Sequence, residues 1–434
     1  MATPAHAAPT VDAEERGRGA TRPAGAPGVA DGPGPAEEGG ALVDRLVDEL
    51  LADVAPGSVA PEEFLGAQFD RGLAWVHFPK GLGGLGLSPS LHQRVVTRLR
   101  AAAAPAPPAR GVIGHGMVAP TLVTHGTDAQ QRRYLRPMFT CEDIWCQLFS
   151  EPGAGSDVAS LATRAERDGE EWTLNGQKVW TTVAHLANLG LLLARTDPDA
   201  PKHAGITCFL VDMHAPGVEV RPLHQITGEA EFNEVFFTDV RVPDATRLGT
   251  VGEGWRVALT TLMNERVAIG GNVGQRASGP IAEALRIWRE RWEDDASAHA
   301  AVLRDRLVQA WTRHEAARLT NMRALVMRRA GTPGPEGSVA KLAFAEENKR
   351  TYELCVDLLG AEGALYGSDY PKVRPDELTV TSPDVRRGFL RARANSIEGG
   401  TSEVMRNILG ERVLGLPGEP RQDRTLPWKD VPRS

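Results

Sequence analysis

Leu42, Val43, Leu46, Val47, Leu50, Leu51 and Val54 recur at steps of three and four, which predicts a helix with one apolar face, with order beginning near Ala41. Further helix-like segments follow to about Pro137, broken by PKGLGGLGLSPS and by APAPPARG. The pattern then changes. Trp172 to Leu174 and Val179 to Thr182 flank Asn175-Gly176, a dipeptide that signals a hairpin turn. Leu189 to Ala194, Ile206 to Val211, Val218 to Val220 and Val235 to Val242 also read as strands. From about Gly252 the helical period returns, with Ile281 to Arg329 as one long, charged, proline-poor stretch. GTPGPEG at 331–337 reads as a loop, and Ser338 to Leu359 as another helix. The chain is therefore of α+β class in the order helices, strands, helices, with no internal repeat.

Composition narrows the class. A chain of 434 residues is long for one core and suits two or three packed domains. Residues 1–40, rich in Ala, Pro, Gly and Glu, bury too little apolar surface to offset chain entropy and are expected to be a disordered tail. A net charge of −7 argues against a nucleic-acid partner. No apolar run is long enough to span a bilayer, and the N-terminus lacks the basic stretch and apolar core of a signal peptide. Cys141, Cys146, Cys208 and Cys355 are scattered, without a CxxC pair or histidines at metal spacing. They read as reduced, mostly buried thiols of a cytoplasmic protein without a metal site.

The segment QLFSEPGAGSD, Gln147 to Asp157, carries the first candidate chemistry. Small residues at 153–156 let the backbone approach a ligand closely. Ser150 and Ser156 add hydroxyls, and consecutive N–H groups can hold anionic oxygens. A loop of this composition is by itself most often a turn. The neighbouring text is more specific: the segment NGQKVWTT, then the strand NLGLLLART. With PKGLGGLG, GTDAQQRRYLRPM, VFFTDVRVP, VGEGWRVAL, DLLGAEG and GGTSEVMRNILGERVLGLP, the chain resembles the acyl-CoA dehydrogenase family from about Phe78 to Pro417.

That resemblance implies an N-terminal helical domain over 41–143, a central β-domain of barrel or sandwich type over 144–250, and a C-terminal four-helix domain over 251–434. It implies noncovalent FAD between the β-domain and the C-terminal helices, reaching a neighbouring subunit. By position, Gln147 to Ser156, Phe149 included, would line the flavin ring, and Ser150 would hydrogen-bond it. Trp180 and Thr182 would pack against and bond the isoalloxazine, although a Trp near a Thr in a strand is ordinarily core packing. Ser156 would also face the thioester. Asp357, Gly360 and Ala361 match a turn that approaches the adenine end of FAD from a partner subunit; Gly360 alone reads equally as a helix C-cap. Thr401 and Glu403 match cofactor contacts, and Gly400 a backbone contact to the substrate.

The reaction so implied removes an α proton from a thioester while a hydride leaves the β carbon. It needs a carboxylate base in a dry pocket and hydrogen-bond donors at the thioester oxygen. The family places its base at one of two positions. The first is a glutamate in a C-terminal loop, which here reads Ser396-Ile397-Glu398-Gly399-Gly400-Thr401. Gly399 occupies the base position and Glu398 falls one residue early, leaving Glu398 as the alternative base and the Gly399 N–H as a polariser of the thioester. The second position lies on the first long helix of the C-terminal domain, as in the isovaleryl and long-chain branches. There Glu265 matches the base, with Asn264 and Arg266 beside it assigned to the substrate. A lone Glu before an Arg on a helix is ordinarily a solvated surface residue. Thr261, Leu262, Ala268 and Ile269, its neighbours by helical spacing, give Glu265 a largely apolar flank.

Three departures weaken the cross-subunit half of the FAD site. The Arg-x-x-Phe-Gly motif for the pyrophosphate is absent after Ala277, and Asp357 and Glu403 stand where the family has Gln. The family's partners would be an acyl-CoA or acyl-carrier-protein substrate and an electron-transfer flavoprotein. Its assemblies are homodimers or homotetramers; some actinobacterial relatives form heteromers with half of the flavin sites working. Two other readings compete: a flavin oxidase or monooxygenase of the same fold, and a non-catalytic partner subunit. Acyl chain length is not legible in the motifs.

Overall fold

The computed structural model describes residues 35–270, 274–329, 335–365, 384–418, 423 and 425–432. The N-terminal helices are α1 (Pro35–Asp53), α2 (Pro61–Asp70), α3 (His92–Ala101), α4 (Ala119–His125) and α5 (Asp128–Thr140). The apolar face read from the sequence is the buried one: Val43, Val47 and Leu50 pack with Phe64, Val95 and Leu99. α1 begins upstream of Ala41, inside the stretch that composition assigned to the tail. Gly39 and Gly40 are buried, and a Cβ on Gly39 would lie 3.2 Å from Leu91 Cδ1. Glycine here serves close packing, which a composition count cannot register. The rest of the expected tail, residues 1–34, lies outside the described residues.

Eight strands come next: β1 (Trp145–Leu148), β2 (Arg164–Asp168), β3 (Glu171–Thr182), β4 (Leu189–Arg195), β5 (Ile206–Asp212), β6 (Val218–Leu223), β7 (Phe232–Pro243) and β8 (Arg247–Leu248). They run in the order β6-β7-β3-β2-β4-β5-β8, with β1 on β4. β2 and β4 meet through a single pair, Arg164 with Arg195, so the sheet folds over there into two halves. Trp172, Leu174, Val235 and Phe237 from one half pack with Leu192, Ala194, Phe209 and Val211 from the other. The alternate residues Leu191, Leu193, Cys208 and Leu210 face the N-terminal helices and the next helix along the chain. A strand covered on both faces explains the continuous apolar run from Leu189.

The expected hairpin at Asn175-Gly176 is not a turn. β3 runs through it, with a register irregularity between Leu174 and Gly176 against β7. Asn175 Nδ2 donates to Asp239 Oδ1 at 3.0 Å, and the Asp239 N–H donates to Asn175 Oδ1 at 3.0 Å, which satisfies the ladder at the bulge. Gly176 is needed because a Cβ would lie 2.5 Å from Thr163 Oγ1. The hairpin turn falls instead between β2 and β3, where Asp168 pairs with Glu171 and Gly169 adopts φ 62°.

The C-terminal part comprises α6 (Gly254–Gly270), α7 (Pro280–Arg291), α8 (Ala298–Arg329), α9 (Glu336–Leu359), α10 (Val385–Arg391) and α11 (Ser402–Ile408). The stretch from Ile281 to Arg329 is two helices, not one. Asp295 accepts the Ser297 N–H at 2.7 Å, and Ser297 Oγ accepts the Ala300 N–H at 3.1 Å, a turn and cap that end one helix and start the next. Ile281, Ala284, Leu303, Leu307, Leu354 and Leu358 form the core between α7, α8 and α9. The chain then returns to the β-domain, where the Trp428 N–H donates to Ala200 O at 2.9 Å. All four cysteines are free and buried. No helix among the described residues is long and apolar enough to cross a membrane, and none of these residues form a metal-type cluster.

Candidate active site

The loop after β1 is built on a buried ion pair. Lys178, on β3, is fully buried; its Nζ lies 2.7 Å from Glu151 Oε1 and 3.1 Å from Phe149 O. Glu151 also accepts the N–H groups of Ala162 at 2.6 Å and Thr163 at 2.9 Å. Burial opposes charge on Glu151, but Lys178 and these donors outweigh it and hold the carboxyl below its usual range. Glu151 and Ala154 exchange backbone hydrogen bonds, and the Val179 N–H donates to Ser150 O at 2.9 Å. The loop is thus a tight turn tied to β3, with Gly153, Gly155 and Ser156 exposed. Phe149 is an exception among the expected flavin-lining residues, since its side chain is in the core.

Trp180 is held in an uncommon conformation. Its φ is 60°, left-handed and rare for a bulky residue, within an irregularity of the β3–β7 ladder between Lys178 and Thr181. The bulge turns the indole outward, 58% exposed, edge-on to Phe232 at 5.9 Å. Thr182 sits next at the strand end, half-buried. Gln147 Oε1 is buried and lacks a hydrogen-bond partner among the described residues. A strained, exposed indole and an orphaned acceptor both cost free energy in the isolated chain, and both fit a planar, hydrogen-bonding group such as the flavin.

The C-terminal helices contribute the second wall. α6 packs on β4, β5, α4 and α9. On it Thr261 Oγ1 meets Thr121 Oγ1 at 3.0 Å, Asn264 Nδ2 turns back to Thr260 O at 2.8 Å, and Glu265 is half-buried. The Arg266 side chain lies outside the described residues. The glycine turn comes after α10: Gly399 and Gly400 have φ 63° and 91°. Lys341 of α9, 1% exposed, donates from Nζ to Asn395 O at 2.9 Å and Gly400 O at 2.5 Å. Glu398 accepts from Arg391 at 3.3 and 3.1 Å and from Asn395 Nδ2 at 2.7 Å. Thr401 Oγ1 accepts the Val404 N–H at 3.1 Å and so caps α11.

Asp357, matched to the partner-facing turn, and Glu403, matched to a cofactor contact, both form ion pairs within the chain. Asp357 pairs with Arg306 at 2.6 Å, and Glu403 with Arg406 at 3.2 Å. Gly360, at φ 60°, caps the end of α9, with Ala361 exposed beside it and no atom within 4 Å of a Cβ built on Gly360. Four residues that organise the site went unrecognised in the sequence: Lys178, Lys341, Arg391 and Phe232. Two carried a faint signal, because Lys178 and Lys341 fall on the buried face of their strand and helix.

A folded-over sheet with its tight loop and bulge, joined to helices bearing a carboxylate and a glycine turn, brings together the parts that the sequence resemblance implies for a flavin enzyme. Family models agree: the N-terminal, middle and C-terminal domains of acyl-CoA dehydrogenase match residues 40–142, 146–240 and 252–414. The chain belongs to the acyl-CoA dehydrogenase family and is an FAD-dependent enzyme of acyl-CoA dehydrogenation. It is 41% identical to acyl-CoA dehydrogenase IpdE1 of Mycobacterium tuberculosis over 80% of this chain and 86% of the relative. Acyl-CoA dehydrogenase FadE34 of the same organism is 40% identical over 87% of this chain but only 49% of its own length. A solved variant of the Tcur3481-Tcur3483 steroid ACAD superposes with a TM-score of 0.65 and 26% identity, covering 87% of this chain and 100% of the other.

Proposed function

We propose that Glu265 takes the α proton of the acyl thioester and that the Gly399 N–H polarises its carbonyl. The carrying observation is the engagement of Glu398: Arg391 and Asn395 already hold its carboxylate, which leaves the loop without an available base. Glu265 is half-buried on α6, one turn from buried Thr261 and beside Leu262, which packs on the core. FAD supplies the two-electron acceptor for the hydride that leaves the β carbon. Gln147, Ser150, Trp180 and Thr182 would hold its ring, with Ser156 and Gly400 towards the thioester.

The finer assignment is a bulky, ring-bearing acyl-CoA, on the likeness to a steroid ACAD. The chain acts with a second subunit of the same fold. Support for this comes from the missing pyrophosphate motif and from a relative about twice the length of the matched region. Electrons pass on to an electron-transfer flavoprotein. Anaerobic bleaching of the flavin by short straight, branched and steroid side-chain acyl-CoAs tests the substrate. Fastest bleaching by a short straight chain would overturn the bulky-acyl assignment. Full FAD occupancy and turnover by this chain alone would overturn the second subunit. Steady turnover with oxygen alone would favour an oxidase.

A further inference from the structure

We infer that Arg391 and Glu398 are positioning residues that lock the glycine turn at 399–400 to the strand face carrying Trp180. This inference rests on the roles proposed above for Gly399 and Trp180. Gly399 and Gly400 are both left-handed, and glycine visits many other conformations, so the turn needs outside contacts to keep its N–H groups aimed. The residue just before it supplies one. Glu398 takes Arg391 Nη1 and Nη2 at 3.3 and 3.1 Å.

The same guanidinium reaches the β-domain. Its Nε donates to Glu231 Oε1 at 3.0 Å, and its Cζ lies 5.5 Å from the Phe232 ring centroid. Phe232 is edge-on to Trp180, and the Glu231 carbonyl accepts the Val183 N–H at 2.9 Å, just past Thr182. Glu231 is 1% exposed, and burial pushes its carboxyl up while Arg391 opposes that. One planar cation therefore joins a buried carboxylate at the start of β7 to the carboxylate that begins the turn. A guanidinium can serve both because its fork offers donors in two directions; an ammonium presents a single point. Glu398 is then an anchor, and its carboxylate is not a proton acceptor.

The test compares FAD-loaded Arg391→Met, Arg391→Lys, Glu398→Leu, Glu398→Gln and Glu265→Gln, together with any required partner. Two quantities are read: affinity for a 3-thia-acyl-CoA, which cannot complete hydride loss, by calorimetry; and the limiting rate of anaerobic flavin reduction. Arg391→Met and Glu398→Leu are expected to lose about 10-fold to 100-fold in both, since small misplacements of reacting groups have effects of that size. Their double variant should lose little more than either alone, and Arg391→Lys should recover part of the loss. Glu398→Leu keeps the Arg391–Glu231 pair and so remains informative if Arg391→Met fails to fold. Wild-type affinity and rate in Glu398→Leu, with only a lower melting temperature, would reduce the bridge to a structural contact and overturn the inference while leaving Glu265 untouched. Loss of reduction in Glu398→Gln with unchanged affinity would make Glu398 the base and overturn the anchor. Glu265→Gln reports on the base independently: near-wild-type reduction there sinks that reading alone.

Discussion

Lys178 Nζ and Glu151 Oε1 lie 2.7 Å apart in the interior and connect β3 to the turn that opens the flavin loop. Removing one partner of a buried pair leaves the other charge uncompensated, which typically costs ~3–5 kcal/mol. Lys178→Met is therefore expected to destabilise the protein by about that amount and to release FAD. Chemical denaturation and flavin content after gel filtration check both. A stable, yellow Lys178→Met protein would show that the pair is dispensable.

The same pair sets an acid limit. The Glu151 carboxyl is held below its ordinary value of 4.5, so the unfolded state binds the proton more readily. Its stabilising contribution is full above that value and is lost as pH falls through the lower folded value. Melting temperature should be flat on this account near neutrality and fall below about pH 4.5. In Lys178→Met burial is no longer offset by the lysine and raises the Glu151 carboxyl, so that acid fall should be weakened or abolished, read by thermal scans across the acid range.

Glu265→Gln should lower flavin reduction by ~10²–10⁴-fold, the usual cost of losing a general base. Gln keeps the shape and hydrogen bonding but cannot take a proton, so the protein should stay yellow. Stopped-flow bleaching with the best acyl-CoA measures the ratio.

Trp180→Gly separates strain from function. The left-handed backbone at 180 costs a Trp ~1–3 kcal/mol and a Gly almost nothing. With the indole exposed, its removal forfeits little packing. The apoprotein is expected to be as stable as wild type or more so, while FAD affinity falls. Paired melting curves and flavin titrations decide it, and a destabilised apoprotein would contradict the strain account.

The C-terminal segment clasps the β-domain. Trp428 donates from Nε1 to Ser160 O at 3.2 Å beneath the Arg195 guanidinium, and Lys202 bridges Asp157 and Asp423. Trp428→Ala should cost ~3–5 kcal/mol as a buried Trp truncation and expose the loop between β4 and β5 to protease. Limited proteolysis with mass mapping reads the effect. Protection equal to wild type would mean that the clasp does not hold this loop.

Local sequence determined the broad plan of the protein. The 3.6-residue period marked α1 and α9, the apolar run from Leu189 marked a covered strand, and the EPGAGSD and NGQKVWTT segments carried the family resemblance. Each is a property of neighbouring residues, so each is written in adjacent letters. Local signals also misled where a distant contact overrode them. Asn175-Gly176 has hairpin composition, yet Thr163 and Asp239 convert it to a bulge in a continuous strand. The two candidate bases show the limit most clearly. Sequence offered Glu265 by its position on the helix and Glu398 as the alternative in the loop, with nothing in the letters to say what holds either carboxylate. Only the fold shows Glu398 taken up by Arg391, which is itself held by Glu231, 160 residues away. A contact across that separation depends on the β-domain and the C-terminal helices packing together and leaves no periodicity in the chain, so tertiary structure alone could set it.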